Sequence, residues 1–103
     1  MDFATFLRRA GKNLRRARWR KGLTQQDVAS EGFTYRYLQE IERGGRNPSL
    51  KMLFDLAQVL DVRLADLVEV GERRAPVRLA DVPESLAPKR GRKPAPKKRT
   101  KPR

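Results

Sequence analysis

Leu23-Thr24-Gln25-Gln26-Asp27-Val28-Ala29-Ser30-Glu31-Gly32-Phe33-Thr34-Tyr35-Arg36-Tyr37-Leu38-Gln39-Glu40-Ile41-Glu42-Arg43-Gly44 is the stretch on which the fold turns. Thr24 suits the cap of a helix, and Asp27 stands three positions on, as in a capping box. A helix is expected from Gln25 to about Glu31, with Val28 and Ala29 facing inward. Gly32 suits a turn that needs positive φ, and Phe33 follows as an anchor. Thr34 then caps a further helix, Tyr35 to about Arg43. Its apolar side is Leu38 and Ile41, and Gly44-Gly45 closes it.

Upstream, Phe3, Phe6, Leu7, Ala10, Leu14 and Ala17 recur at intervals of three and four. That spacing predicts one buried face of a helix from about Asp2, its N-cap, to Lys21. Arg8, Lys12, Arg15 and Arg16 lie opposite, and Gly22 ends the helix. Gly11 inside it costs about 1 kcal/mol relative to Ala, which goes with either close packing or a break. Trp19 lies off the apolar face and has two readings, packing on a second surface or touching a partner.

Downstream, Asn47-Pro48 is a turn and Ser49 caps a helix from Leu50 to Leu60. Leu50, Leu53, Phe54, Ala57 and Leu60 are its inward residues. Asp61-Val62-Arg63 is a link, and Leu64, Leu67 and Val68 belong to a last short helix. Residues 1–70 thus read as a compact all-α domain of five helices joined by brief loops. A core of that size is marginal, and a partner subunit would help it.

Past Val70 the pattern stops. Pro76, Pro83 and Pro88 punctuate residues 71–88, where Val77, Leu79, Val82 and Leu86 leave two readings, docking on the domain or a second subunit, and a loose linker. Residues 89–103 form a basic tail with no apolar residue larger than Ala or Pro. It is expected to be disordered without a partner.

The chain has 103 residues and a net charge of +13, with 25 basic and 12 acidic side chains. Residues 1–70 hold 13 basic and 9 acidic side chains, and the remainder hold 25 − 13 = 12 and 12 − 9 = 3, so +9 of the excess lies after Val70. A field of this sign attracts polyanions, and each cation placed on a phosphate releases counterions. With no Cys and no His, disulfides, thiol chemistry, a Cys/His zinc site and a histidine base are excluded. No metal or other cofactor is expected. Carboxylates form no evident catalytic constellation and no glycine loop cradles phosphate, so an enzyme is not expected. No apolar run approaches the roughly 20 residues that span a bilayer, and Met1-Asp2-Phe3 does not open a secretory signal. A cytoplasmic or nucleoid location is expected.

The ordered elements Leu23 to Ala29, Gly32-Phe33-Thr34, Tyr37 to Gly44 and Arg46-Asn47-Pro48-Ser49-Leu50 resemble the Cro/C1-type, or XRE-family, helix-turn-helix. Leu14-Arg15-Arg16-Ala17-Arg18 is similar to that family's first helix, and Leu56 to Val62 with Leu64-Ala65-Asp66-Leu67 to its last two. The resemblance covers residues 6–70 and implies a five-helix, lambda-repressor-like DNA-binding domain of bacterial or phage type. It implies that the helix from Tyr35 lies in the major groove with Tyr35, Arg36, Gln39 and Glu40 toward the bases. Those side chains suit the work: Arg reaches guanine O6 and N7, Gln reads adenine N6 and N7, and Glu accepts from cytosine N4. Gln25, Thr34, Arg43, Arg46 and Arg15 are the candidate phosphate contacts. The family glutamate that pairs with a first-helix arginine corresponds to Glu42, and its partner to Arg18, read as a structural latch.

One departure from the family pattern is a turn one residue short, since only Ser30, Glu31 and Gly32 separate Ala29 from Phe33. A residue subtends about 100° of helix. Either the second helix ends early, or the third sits at an altered angle. In the tail, Arg90-Gly91-Arg92-Lys93-Pro94 resembles an AT-hook with Lys93 interposed before the proline. Insertion into a narrow A·T minor groove and unspecific phosphate contact are both open to it.

The function expected is sequence-specific binding of double-stranded DNA by a transcriptional regulator, as a homodimer on half-sites about one helical turn apart. The dimer surface is expected on the fifth helix and residues 64–82. Repression by covering a promoter is the simplest mechanism, and activation through RNA polymerase is equally allowed. The alternatives are an architectural or nucleoid-associated protein of low specificity, an antitoxin-type or restriction–modification controller regulator, and an interaction module that has lost DNA binding.

Overall fold

The structure, a computed structural model, describes residues 1–71 and 77–88. The chain divides into two units between Arg73 and Arg74. The first carries five helices: α1 (Phe3–Arg20), α2 (Gln25–Ala29), α3 (Tyr35–Arg43), α4 (Leu50–Leu60) and α5 (Leu64–Val68). The described part of the second carries two single 3₁₀ turns, Leu79–Asp81 and Glu84–Leu86.

Short polar side chains start the helices by taking backbone N–H groups that have no partner within the helix. Asp2 accepts from the Thr5 N–H at 2.9 Å, Thr34 from Tyr37 at 3.1 Å and Ser49 from Met52 at 3.0 Å. At α2 the exchange is reciprocal. Thr24 Oγ1 accepts from the Asp27 N–H at 3.0 Å, and the Asp27 carboxylate accepts from the Thr24 N–H at 2.8 Å. α1 closes with the Gly22 N–H on the Trp19 carbonyl and the Leu23 N–H on that of Arg18, the paired bonds of a Schellman ending.

Leu14, Val28, Ala29, Leu38, Ile41, Leu56, Ala57, Leu60 and Leu67 form the core. Each fully buried leucine contributes about 2 kcal/mol by leaving water. Ala17, Leu23, Phe33, Tyr37 and Met52 pack on its edge. α1 lies across α3 and α5, α2 packs on α3, and α4 on α5. Asn13 ties the end of α5 to α1, donating from Nδ2 to the carbonyls of Leu67 and Glu69 at 3.0 and 2.7 Å.

Gly11 sits where α1 meets the end of α3, so close packing is its role and the helix runs through it unbroken. A Cβ there would stand 2.5 Å from the Glu42 carbonyl oxygen and 2.6 Å from that of Ile41. Gly44 ends α3 at φ 82°, and a Cβ there would meet the α1 backbone at Arg8 within 2.9 Å. These two glycines set how near α1 lies to α3.

Several expectations need correction. α2 ends at Ala29 and does not reach Glu31. Ser30 turns its hydroxyl back to the Asp27 carbonyl at 2.7 Å, and the Gly32 and Phe33 N–H groups both close on the Ala29 carbonyl. With Gly32 at φ 116°, an early end of α2 absorbs the short turn. Phe3, Leu50 and Phe54, expected inward, are 56%, 71% and 50% exposed. α4 is apolar over more than half its circumference, and the core uses the Leu56, Ala57 and Leu60 side, which leaves Leu50 and Phe54 outside. Trp19 is 60% exposed and stands outside the core.

In the second unit Val77, Leu79, Val82 and Leu86 are exposed, and Arg78 pairs with Asp81 at 3.2 Å. The basic tail, with Arg90, Gly91, Arg92 and Lys93, lies outside the described residues.

Candidate nucleic-acid interface

The exposed side of α3 carries Tyr35, Arg36, Gln39 and Arg43, while Leu38, Ile41 and Glu42 are buried. Thr34 places the first turn of the helix at the surface, and the Leu38–Ile41 pair fixes which side faces out. Hollows flank this helix on both sides. One is lined by Arg15, Trp19, Thr24, Gln25, Tyr35, Gln39 and Arg43, among others. The other holds Thr34, Arg36, Tyr37 and Arg46, with Phe33 and Met52 beneath.

Under the first hollow lies the latch. Arg18 and Glu42 meet face to face, Nε donating to Oε2 at 2.7 Å and Nη2 to Oε1 at 2.8 Å. Arg18 is 8% exposed and Glu42 3%. The two parallel bonds are the fork geometry that guanidinium and carboxylate share. The arginine also donates to the Leu23 carbonyl at 3.1 Å, and Gln25 Nε2 donates to Glu42 Oε1 at 3.0 Å. Arg15 Nε stands 3.6 Å from the same oxygen. The hydrogen bond to Glu42 raises the Arg18 pKa further, against the effect of burial. This carboxylate thus positions the first turn of α2, the last turn of α1 and the buried side of α3 together. Among the described residues every buried side-chain N and O has a partner.

On the other flank one carboxylate serves two cations. Glu40 accepts from Arg46 Nε at 2.7 Å and from Arg36 Nε at 3.3 Å. The Arg46 guanidinium also lies over the Tyr37 ring, 5.1 Å from its centroid. Bonding to Arg46 first, and to Arg36 second, holds the Glu40 carboxyl below the ordinary range. Glu40 is therefore charged, and in the free protein it offsets two of the candidate DNA-binding arginines.

The structure brings Arg15, Gln25, Tyr35, Gln39 and Arg43 around one hollow, and Thr34, Arg36 and Arg46 around the other, with Glu40 paired to the last two. Sequence reasoning did not find three features: Trp19 in the first hollow, the Arg46–Tyr37 stack, and the double engagement of Glu40. The spacing held a clue to two of them. Arg15 and Trp19 are four apart on α1, as Arg36 and Glu40 are on α3, and such pairs meet on a helix surface.

Two short helices with a glycine turn, the second capped at an exposed polar face and backed by three more helices, define the class of helix-turn-helix domains. A helix-turn-helix family profile matches residues 14–67, 54 of the 103 residues. The chain belongs to this family, as an XRE or Cro/C1-type regulator. It is 49% identical over 59 residues to the uncharacterized HTH-type transcriptional regulator y4dJ of Sinorhizobium fredii, covering 56% of this chain and 77% of that one. It is 34% identical over 77 residues to the HTH-type transcriptional regulator DdrOP3 of Deinococcus deserti, covering 74% of this chain and 60% of that one. The crystal structure of the restriction-modification controller protein C.AhdI from Aeromonas hydrophila superposes with a TM-score of 0.62 at 37% identity. The match covers 65% of this chain and 99% of that one.

Proposed function

We propose that the chain binds double-stranded DNA selectively, as a homodimeric transcriptional regulator that lays α3 in the major groove. The observation that carries this reading is the exposed face of α3 with its arginine-bearing flanks. Arg36 and Gln39 suit bidentate reading of guanine and adenine. Tyr35 suits a thymine methyl, and Glu40 an exocyclic amine or the exclusion of wrong sites. Arg43, Arg46, Arg15, Gln25 and Thr34 suit phosphates, which fix register without reading sequence. The reading is of a binding protein and not an enzyme, acting in the cytoplasm on the nucleoid. Covering a promoter is its simplest action, and contact with RNA polymerase is the route by which it would activate.

The homodimer is supported by apolar surface that the domain leaves unused. Phe3 and Phe6 stack at 6.0 Å and line one groove with Leu7, Leu50, Leu53 and Val68. Exposed apolar side chains gathered in this way are usual at subunit contacts. A second copy seated here shifts the dimer surface from residues 64–82 toward α1 and α4. A two-fold dimer would span half-sites about 34–36 Å apart. A controller of restriction and modification is the second reading, favoured by the superposition along almost the whole length of C.AhdI.

Random-site selection with the full-length protein and with a version ending at Val70 tests the function. A symmetric site, bound about 10³-fold or more above random duplex, is the expected result. Equal binding to all duplexes at physiological salt would leave an architectural protein in its place.

A further inference from the structure

We propose that Trp19 is itself a DNA contact, its indole lying against the sugar–phosphate backbone at the edge of the groove that α3 enters, with Arg15 steadied beside it for the adjoining phosphate. This rests on the reading above and extends the interface from α2 and α3 to the last turn of α1.

Trp19 is the chain's one tryptophan and is 60% exposed. The other large exposed apolar residues of the first unit mostly gather with each other: Phe3 and Leu50 share a groove, and Phe54 lies on the outer side of the same α4. Trp19 stands apart from them, in the hollow shared by Arg15, Gln25, Tyr35, Gln39 and Arg43. A protein partner would want contiguous apolar surface around an exposed ring. Here the neighbours are mostly amides, a phenol and arginines, with Leu23 the one aliphatic side chain and Glu42 already neutralised by Arg18, a rim that suits a polyanion. An indole offers a flat apolar face and a single N–H donor. DNA backbone alternates apolar sugar edges with acceptor oxygens and meets both needs.

Position and rigidity support the same partner. The Arg15 guanidinium lies 5.9 Å from the Trp19 ring centroid, while its Nε is 3.6 Å from Glu42 Oε1. Arg15 is thus held between a π face and a carboxylate. The neighbouring residue, Arg18, is locked to Glu42, and Gly22 closes the helix immediately after. An aromatic held on such a frame loses little freedom on binding.

The contact has a signature separable from that of the arginines. An indole neutralises no phosphate, so its loss lowers affinity without changing the salt slope. Loss of an arginine–phosphate contact lowers that slope by about 0.9. A backbone contact weakens all sequences alike and leaves base preference intact.

The test uses the full-length protein, a labelled duplex recovered by random-site selection and a random duplex of equal length. Emission from Trp19 is expected to shift or quench in step with binding of the selected duplex. Trp19→Ala is expected to bind both duplexes roughly tenfold more weakly, the equivalent of 1.4 kcal/mol, at an unchanged salt slope and unchanged helix content. Trp19→Phe, which keeps a ring and loses the N–H, should fall between. Arg15→Ala should weaken binding and flatten the salt slope. Unchanged emission at saturation, or Trp19→Ala binding like the native protein, overturns the proposal while selective binding by the native protein leaves the regulator reading standing. A Trp19→Ala that changes which bases are preferred also overturns it. Native protein that fails to discriminate the two duplexes removes the regulator reading, and this inference with it.

Discussion

Glu42 and Glu40 are two residues apart on one helix and have opposite fates. Glu42 is buried, and its pairing with Arg18 balances two desolvated charges. Removing one partner strands the other, a loss of about 3–5 kcal/mol, whereas replacing both with apolar residues of similar volume is near neutral. Arg18→Met or Glu42→Leu alone should therefore lower the urea midpoint severely, and the double substitution should recover most of it. Losses in the two single variants that simply add in the double would show that the two residues do not interact. Glu40 is near the surface, and its ion pairs contribute little to stability, but they hold Arg36 and Arg46. Glu40→Gln should leave the unfolding midpoint nearly unchanged, raise affinity for random duplex several-fold and steepen its salt dependence. Unaltered random-duplex binding would mean the two arginines are already free to act. The Arg18–Glu42 partnership was legible through the family resemblance, and the position of Arg18 at the border of the apolar face of its helix agrees with it. The Glu40 network was not, because the Arg46 that completes it is placed by the Gly44-Gly45 turn, whose path no periodicity encodes.

At the scale of elements, caps and glycines were the legible part, and the choice of face on α4 was not. Cap residues act on their own next three neighbours, so Asp2, Thr24, Thr34 and Ser49 declare the helix starts locally. α4 has apolar residues on too many sides for spacing to choose between them, and packing on α5 decides. Gly11 shows how local propensity and packing oppose each other. Alanine there gains about 1 kcal/mol of helix propensity. It also places a methyl carbon against the fixed backbone of α3, and overpacking of this kind costs about 1–3 kcal/mol or more. Because both contacts at 2.5 and 2.6 Å are backbone oxygens, packing wins, and Gly11→Ala should lower the unfolding temperature. A rise would mean that α1 can slide away from α3 at no cost. The caps also contribute to the acid response, alongside the Glu40 and Asp66 ion pairs. The Asp27 pKa is lowered, first by the Thr24 N–H and then by its hydroxyl, and that of Asp2 first by the Thr5 N–H. Each folded-state pKa lies below its unfolded value. The stabilisation is therefore present above about pH 4 and is lost as pH falls through the folded values. Thermal scans from pH 7 to pH 2 should fall below about pH 4, with a shallower fall in Asp27→Asn. A native-like slope in that variant would remove the α2 cap from the account.

The whole molecule joins a small reader of DNA to an excess of positive charge that lies mostly outside it. Five helices bury nine apolar residues, and the face proposed to read bases is on one of them, α3. The charge is elsewhere. Residues 89–103 carry nine Lys or Arg and no acid, so they contribute attraction at any sequence. Counterion release makes the two contributions separable, because log K falls with log salt by about 0.9 per phosphate neutralised. Suppose the folded unit alone engages its arginines and the tail adds a handful of phosphates. Ending the chain at Pro88 should then flatten the salt slope by several units, reduce affinity for random and selected duplexes alike at low salt, and leave the preferred bases unchanged. The ratio of selected to random binding should hold or rise, since the unselective part has been removed. A filter-binding or anisotropy series between 50 and 200 mM salt measures both quantities on the same duplexes. A slope unaffected by the deletion would mean that the folded unit supplies all the phosphate contacts. A change in preferred bases toward loss of an A·T flank would instead assign Arg90, Gly91, Arg92 and Lys93 a share in reading sequence, through the narrow minor groove beside the site.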